Sequence, residues 1–482
     1  MKFKITMPKS NVAAVILAAG ESARFGSPKQ LLEWEGRPLV THTANTAWLA
    51  GLDPVIVVLG AMAEQITPAL QGHPVRIVRN YRWHEGMSTS LSAGLSVLSP
   101  EIEAAVFLPV DQPLITTDLL CALVSHWQQT GARIVVPATQ VGKRGNPVLF
   151  AREFFPELAC LTGDVGGRAI FAKYADRLVY LPVSDANILV DVDTPEAYRR
   201  LREEAQCTKG RLDFEKIRGI VCDMDGVLWR GQTPLPGLHA FFALIDELDL
   251  GYILVTNNSS KTPQMYVDKL NGMGIQITPN HILTSALAAA DHLTGYAPVG
   301  ALVYPIGGAG VLEALRTRGF RISEGDQADY VVVGWDQGLT WQKLALATRL
   351  ILHGAGFVGT NPDLTFPMEN ALAPGNGAQL AALEAATGVE PVVLGKPFPG
   401  LYQQALTSMG TRPEDTLVIG DRLDTDILGG LRLGMPTAML LSGVSDFKEV
   451  ETSPIRPNMT FEDLSALVRA WRAGMAAKKQ GF

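Results

Sequence analysis

Short apolar runs recur along the chain. From Val12 they read "VAAVIL", "PVIVVLG", "VRIVRN", "AAVFLPV" and "RIVVPA", separated by helix-like stretches such as "PLVTHTANTAWLAGL". A run that is apolar at every position, not every second one, suits a strand buried on both faces. Alternation with helices then implies βα units and a mostly parallel sheet. The charged stretch "DVDTPEAYRRLREEAQCTKGRLDFEKIRG" interrupts the series and predicts a closing helix and a solvated linker. A second α/β series follows, from "IRGIVCDMDG" through "YILVTNNSS", "HILTS", "ALVYPIGG", "YVVVGWD" and "FVGTNPD" to "DTLVIGD" and "TAMLLSGV". No fixed-period repeat underlies either series.

Composition narrows the function classes. A chain of 482 residues is too long for one ordinary core, and 47% hydrophobic with 18% charged residues is a globular composition. The net charge of -7 supplies no broad positive field, so nucleic acid is not the expected partner. No window approaches eighteen uninterrupted apolar residues, and "MKFKITMPKSN" lacks the apolar core of a signal peptide. No membrane partner and a cytoplasmic location are therefore expected. Cys121, Cys160, Cys207 and Cys222 form no CxxC pair and are read as reduced thiols, and the basic tail around Arg469, Arg472, Lys478 and Lys479 as a solvated helix end.

Two strand ends carry candidate chemistry in the first series. In "LAAGESARFGSPKQLL", Gly20 and Gly26 allow a tight turn, and Ser22, Arg24 and Lys29 offer donors to phosphate oxygens beside backbone N–H groups. An ordinary βα turn is the alternative. In "AAVFLPVDQPLIT", Asp111 follows a buried strand and is placed to ligate Mg²⁺ beside a triphosphate, although a lone Asp there also caps turns.

The second series supplies four such ends. "DMDG" offers Asp223 as nucleophile, Asp225 as acid and then base, and Gly226 for a sharp turn. "YILVTNNSSKT" places Thr256 and Asn257 as donors to a transferring phosphoryl group. "VVLGKPFPG" places Lys396 to pair with phosphoryl oxygens and Asp223, and "TLVIGDRLDTDILGG" puts Asp421 at a strand end to complete a Mg²⁺ shell, with Asp426 one turn beyond. Each has a structural alternative as a turn group or cap; the four in succession point to phosphoryl chemistry.

Together "LAAGESARFGSPKQLL", "NYRWHEGMSTSLSAGL", "FLPVDQPLIT", "GKRGNPVLF", "LTGDVGGRAIF" and "ILVDVDTPEAYRRL" resemble the molybdenum cofactor cytidylyltransferase branch of the MobA-like nucleotidyltransferases, over roughly residues 12–203. The resemblance implies Mg²⁺-dependent transfer of a nucleoside monophosphate from an NTP to a phosphorylated acceptor, with pyrophosphate release. It implies that Ala19, Gly20, Ser22, Arg24 and Lys29 hold the triphosphate and that Asn80, Gly86 and Ser88 lie near base and ribose. It further gives Asp111 as a metal ligand, with Asp191 or Asp193 as a second. "LAAG" is the cytidylyl form, where the Ala19 methyl crowds a purine, so CTP is the expected donor.

"DMDGVLWRG", "TNNSS", "GKPFPGLY" and "GDRLDTDILGG" resemble the haloacid dehalogenase superfamily, and within it the 4-nitrophenylphosphatase or phosphoglycolate-phosphatase type with a C2 cap, over about residues 213–470. This implies a phosphate monoester substrate and Mg²⁺ held by Asp223, the carbonyl of Asp225, and Asp421. In the cap, Asn361, Asp363 and Asn376 are candidates for substrate contact or for structural turn roles. The expected fold class is α/β throughout. A Rossmann-like nucleotidyltransferase domain (1–203) and a linker (204–215) precede a Rossmannoid phosphatase core (216–298 and 391–475) interrupted by an α/β cap (299–390). A homo-oligomer is compatible with this organisation. The expected activity is bifunctional, the acceptor being the molybdopterin cofactor or a small phosphorylated polyol or sugar; a nucleotide-binding regulatory first half beside a working phosphatase is the alternative.

Overall fold

A computed structural model describes residues 11–21, 28–34, 36–139, 144–183, 190–208, 213–368 and 371–479. The chain divides into two compact units, Met1–Gly210 and Arg211–Phe482.

In the first unit, β1 (Val12–Ala18), β2 (Val55–Leu59), β3 (Arg76–Arg79), β4 (Ala104–Pro109), β5 (Ile134–Thr139), β6 (Val148–Ala151) and β7 (Leu178–Val183) form one sheet. Their order is β3-β2-β1-β4-β6-β5-β7. The continuous apolar runs are explained by burial on both faces. Val12, Ala14, Ile16 and Ala18 of β1 enter one core, while Ala13 and Val15 enter the core on the opposite face. All pairs are parallel except those of β6, which runs antiparallel to β4 and β5. The connection from Thr139 to Val148 is too short for the crossover that a parallel return needs, which makes β6 the antiparallel member of a mostly parallel sheet. A helix, Pro195–Thr208, closes the unit and runs into the segment expected as linker.

The second unit contains two main sheets beside two short two-stranded hairpins. Its chain passes through β8 (Gly219–Asp223), β9 (Gly251–Thr256) and β10 (Ile282–Thr284), then through a cap with β11 (Leu302–Ile306), β12 (Arg321–Ile322), β13 (Tyr330–Val333), β14 (Gly356–Gly359) and β15 (Val392–Val393). It returns to the core through β16 (Thr416–Gly420), β17 (Thr437–Leu440) and β18 (Met459–Phe461). The core order is β10-β9-β8-β16-β17-β18 and the cap order β12-β11-β13-β14-β15, with every pair parallel. β15 lies just past residue 390 yet pairs with β14, so the cap sheet continues to Val393. Ile220, Cys222, Leu417 and Ile419 pack on one face of the core sheet and Val221 and Val418 on the other, while Tyr304, Ile306, Val331, Val333 and Phe357 build a separate cap core.

In both main sheets the strand order reverses beside the first strand, between β1 and β4 and between β8 and β16. Such switch points open a crevice at the carboxyl ends of the strands, where ligands of α/β folds bind. Cys121, Cys160 and Cys222 are free thiols, and among the described residues no helix is long and apolar enough to cross a membrane. "IGGAGVLEAL" forms a strand-to-helix turn, with the helix Ala309–Thr317 following Gly308.

Candidate active sites at two switch points

β8 is hydrogen-bonded on both sides, to β9 and β16, which fixes its last residue, Asp223, in the crevice at 8% exposure. Lys396 reaches it from the loop after β15: its buried Nζ donates to Asp223 and, at 2.6 Å, to Asp426 Oδ1. Asp421 follows β16 directly and accepts from the Val444 N–H at 2.8 Å. A π-turn over Leu423–Ile427 folds Asp426 back, so that carboxylate oxygens of Asp223, Asp421 and Asp426 all lie within 4.8 Å of one another. Among the described residues this is the one group of three or more His, Cys, Asp or Glu side chains placed to hold a metal ion.

The electrostatics follow from that crowding. Burial raises the Asp421 carboxyl to about 7, with the charge of Asp426 adding and the Val444 N–H and Lys396 opposing. Burial likewise raises Asp223, with Lys396 opposing. Burial alone disfavours the Lys396 ammonium, but Asp223 and Asp426 more than offset this and raise its pKa. One buried cation therefore faces three carboxylates, and the remaining negative charge suits a metal ion or a further cation.

Asp225 projects to solvent at the mouth of the crevice, where its Oδ1 accepts from Trp229 Nε1 at 2.6 Å. The turn directly after the two aspartates demands Gly226: its φ is 88°, and a Cβ there would stand 2.3 Å from Asp421 Oδ2. Thr256 ends β9, buried, its Oγ1 accepting from the Asn258 N–H at 3.1 Å.

Other expected contacts turn inward. Asn361 donates to the carbonyl of Asn257 at 2.7 Å, and Asn376 donates to the carbonyl of Asn361 at 2.8 Å. At 3% and 1% exposure both brace the loop after β14, the structural one of the two roles open to them. Asn257 is likewise committed, accepting from the Lys396 N–H at 2.8 Å and donating to its carbonyl at 2.9 Å. These two bonds tie Asn257 to the stretch of chain that carries Lys396. Asp363 stays half-buried, its carboxyl raised by burial against the opposing charges of Arg422 and Lys396. Arg422 and its bidentate partner Asp424 border the same place but were not singled out from sequence, although both fall inside "GDRLDTD".

At the first switch point a cavity of about 460 Å³ is lined by Ala19, Gly20, Lys29, Met87, Asp111 and Arg168, among others. That volume lies within the range of small-ligand sites. Lys29 donates to Asp111 and lies 3.7 Å from Asp193, bridging two carboxylates expected as metal ligands. Gln112 donates to Asp191 at 2.7 Å. Gln30, missed from sequence, holds the strand-end loop open by donating to the carbonyls of Ala18 and Gly20 at 3.0 and 2.9 Å. Ser22 and Arg24 lie outside the described residues. Two residues expected near the nucleotide, Asn80 and Ser88, are not among those that line this cavity. Asn80 donates to Thr89 and Ser90 at 2.9 and 3.0 Å, and Ser88, wholly buried, donates to the Gly163 carbonyl at 2.7 Å. These short side chains satisfy neighbouring backbone and hydroxyl groups and fasten the loop that lines the cavity. Gly86, between them in sequence, lines it directly.

Comparison with known proteins agrees with both geometries. Residues 14–178 match the MobA-like NTP transferase domain family, residues 220–321 the haloacid dehalogenase-like hydrolases, and residues 393–467 a second HAD-hydrolase-like family. An acid sugar phosphatase from Staphylococcus aureus (strain USA300) is 37% identical over 255 residues, which are 53% of this chain and 98% of the relative. The solved p-nitrophenyl phosphatase from Archaeoglobus fulgidus is 32% identical with a TM-score of 0.51, covering 53% of this chain and 99% of its own. A glycerol phosphate phosphatase from Mycobacterium tuberculosis, solved in complex with magnesium, is 33% identical with a TM-score of 0.50, covering 53% of this chain and 78% of its own. The chain belongs, through its C-terminal half, to the haloacid dehalogenase-like phosphatases, and it carries a MobA-like NTP transferase domain in its N-terminal half.

Proposed function

We propose that the C-terminal unit hydrolyses small phosphorylated sugars or polyols through an aspartyl-phosphate on Asp223. The N-terminal unit, on the same reading, transfers a cytidylyl group from CTP to a phosphorylated small molecule and releases pyrophosphate. The convergence of Asp223, Lys396, Asp421 and Asp426 at one switch point carries the first half of this reading. The names of the sugar and glycerol phosphate phosphatase relatives support the substrate class.

Asp223, Asp421 and the carbonyl of Asp225 are hard oxygen donors of the kind Mg²⁺ takes. Bound there, Mg²⁺ supplies positive charge that offsets repulsion between the carboxylates and the phosphoryl oxygens. The chain's own groups do the rest. An Asp223 oxygen attacks phosphorus as the bond to the leaving oxygen breaks, and the Asp225 carboxyl gives its proton to that oxygen. Asp225, now a carboxylate held by Trp229, takes a proton from the water that attacks the same phosphorus, freeing phosphate and Asp223. Lys396 keeps the nucleophile aimed and faces the phosphoryl oxygens. Calorimetry tests the ion. With magnesium about 100-fold above its Kd, the unfolding transition of the C-terminal unit should rise by about 5–10 °C over EDTA. Asp421→Asn should lose most of that rise, and an equal rise in the variant would place the ion elsewhere.

In the N-terminal unit, the cavity beside Ala19, Lys29 and Asp111 supports nucleotide transfer, and Asp111, with Asp191 or Asp193, is the candidate holder of Mg²⁺ once a triphosphate competes for Lys29. The acceptor phosphate would attack the α-phosphorus in line, helped by positioning and charge neutralisation and by no protein nucleophile. Pyrophosphate release from CTP, with GTP as control, is to be measured against molybdopterin and a panel of sugar and polyol phosphates. Turnover with CTP and one acceptor class is expected. Tight CTP binding with no pyrophosphate from any acceptor would instead make this half a nucleotide-binding regulator of the phosphatase.

A further inference from the structure

We propose that Asn257 is a positioning residue of the phosphatase, a clamp that presents Lys396 to Asp223 and ties that presentation to the cap's return loop. Its side chain makes two bonds to one residue's backbone: Oδ1 accepts from the Lys396 N–H at 2.8 Å and Nδ2 donates to the Lys396 carbonyl at 2.9 Å. A planar amide gripping both backbone groups of a single residue fixes the orientation of that peptide as well as its place. The Lys396 side chain then has one way to reach Asp223 and Asp426, whose carboxylates it joins.

The clamp is itself held from both the cap and the core. The Asn257 carbonyl accepts from Asn361 Nδ2 and from Ser285 Oγ, both at 2.7 Å, and Asn257 Nδ2 also approaches Asp363 Oδ1 at 3.3 Å. Asn361 and Asp363 belong to the loop that leaves β14 of the cap sheet. Gly395, packed against the same amide, has no room for a side chain: a Cβ would meet Asn257 Oδ1 and the Thr360 carbonyl, each at 2.6 Å. Three loops, from β9, from the cap and from the end of β15, thus meet on one amide. At 9% exposure, with both of its polar atoms engaged inside the protein, Asn257 acts on the reaction through Lys396 and not by touching the phosphoryl group.

The test uses the full chain with Mg²⁺ and p-nitrophenyl phosphate. A displacement of about 1 Å at a reacting group costs on the order of 10²-fold in rate, so Asn257→Ala should lower kcat by about that factor and leave KM within about threefold. Because the loss runs through Lys396, Asn257→Ala added to Lys396→Ala should cost less than about threefold more, a strong failure of additivity. Gly395→Ala, which pushes on the same amide, should reproduce the kcat loss and serves if Asn257→Ala does not fold. Asn257→Asp keeps the acceptor for the Lys396 N–H and should retain more activity than Ala. A raised KM at unchanged kcat, or full additivity with Lys396→Ala, would overturn the proposal and restore Asn257 as a substrate contact.

Discussion

Asp223→Asn is expected to lower phosphatase kcat by on the order of 10⁴-fold or more, the scale of losing a nucleophile that works as part of a unit. The substitution is isosteric, so the phosphate monoester should still bind. What disappears is the charged oxygen at the end of β8 that forms the bond to phosphorus. Stability should not fall with activity. Asp223 is buried with Asp421 and Asp426 around one ammonium, and burial already disfavours its charge. Removing one carboxylate relieves that crowding while Asp426 still pairs with Lys396 at 2.6 Å. The thermal midpoint in EDTA should therefore be equal to the wild type or higher. A variant that keeps activity within tenfold of wild type would mean that another group attacks phosphorus.

Asp111→Asn should lower nucleotidyl transfer by about 10²- to 10³-fold, the scale set by losing one charge-stabilising group in a preorganised site. Asp111 follows β4 at the first switch point and pairs with Lys29, which faces the cavity. Asparagine preserves the shape but loses the negative charge that holds a cation and orients the lysine. Binding of CTP should weaken much less than turnover, since Ala19, Gly20 and Lys29 remain. Pyrophosphate release at the wild-type rate would remove Asp111 from the mechanism.

Legibility in the sequence followed from how a residue earns its place. The strands buried on both faces, such as β1 and β8, could be read because burial leaves an unbroken apolar run, and the reactive ends could be read because a polar residue stops that run in a crevice. The antiparallel insertion of β6 could not, since "VLF" carries no mark of direction and only the short connection from Thr139 forbids a crossover. Asp426 was visible as an acid but not as the third carboxylate of the cluster, because a π-turn, not ordinary helical spacing, brings it back to Asp421. Asn80, Ser88, Asn257, Asn361 and Asn376 lie in the right motifs, yet their side chains serve carbonyls, N–H groups and hydroxyls of adjoining loops. An amide in a loop can satisfy a ligand or a neighbouring backbone, and composition alone does not distinguish the two.

On the proposed reading the chain holds two catalytic centres, each at its own switch point. The direct measurement assays both reactions, p-nitrophenyl phosphate hydrolysis and CTP-dependent pyrophosphate release with the acceptor that supports it, on the purified full chain of wild type, Asp223→Asn and Asp111→Asn. Asp223→Asn should abolish hydrolysis and leave pyrophosphate release within twofold, and Asp111→Asn should do the reverse. Loss of both activities in a folded single variant, or survival of hydrolysis in Asp223→Asn, would rule out two independent centres built on Asp223 and Asp111.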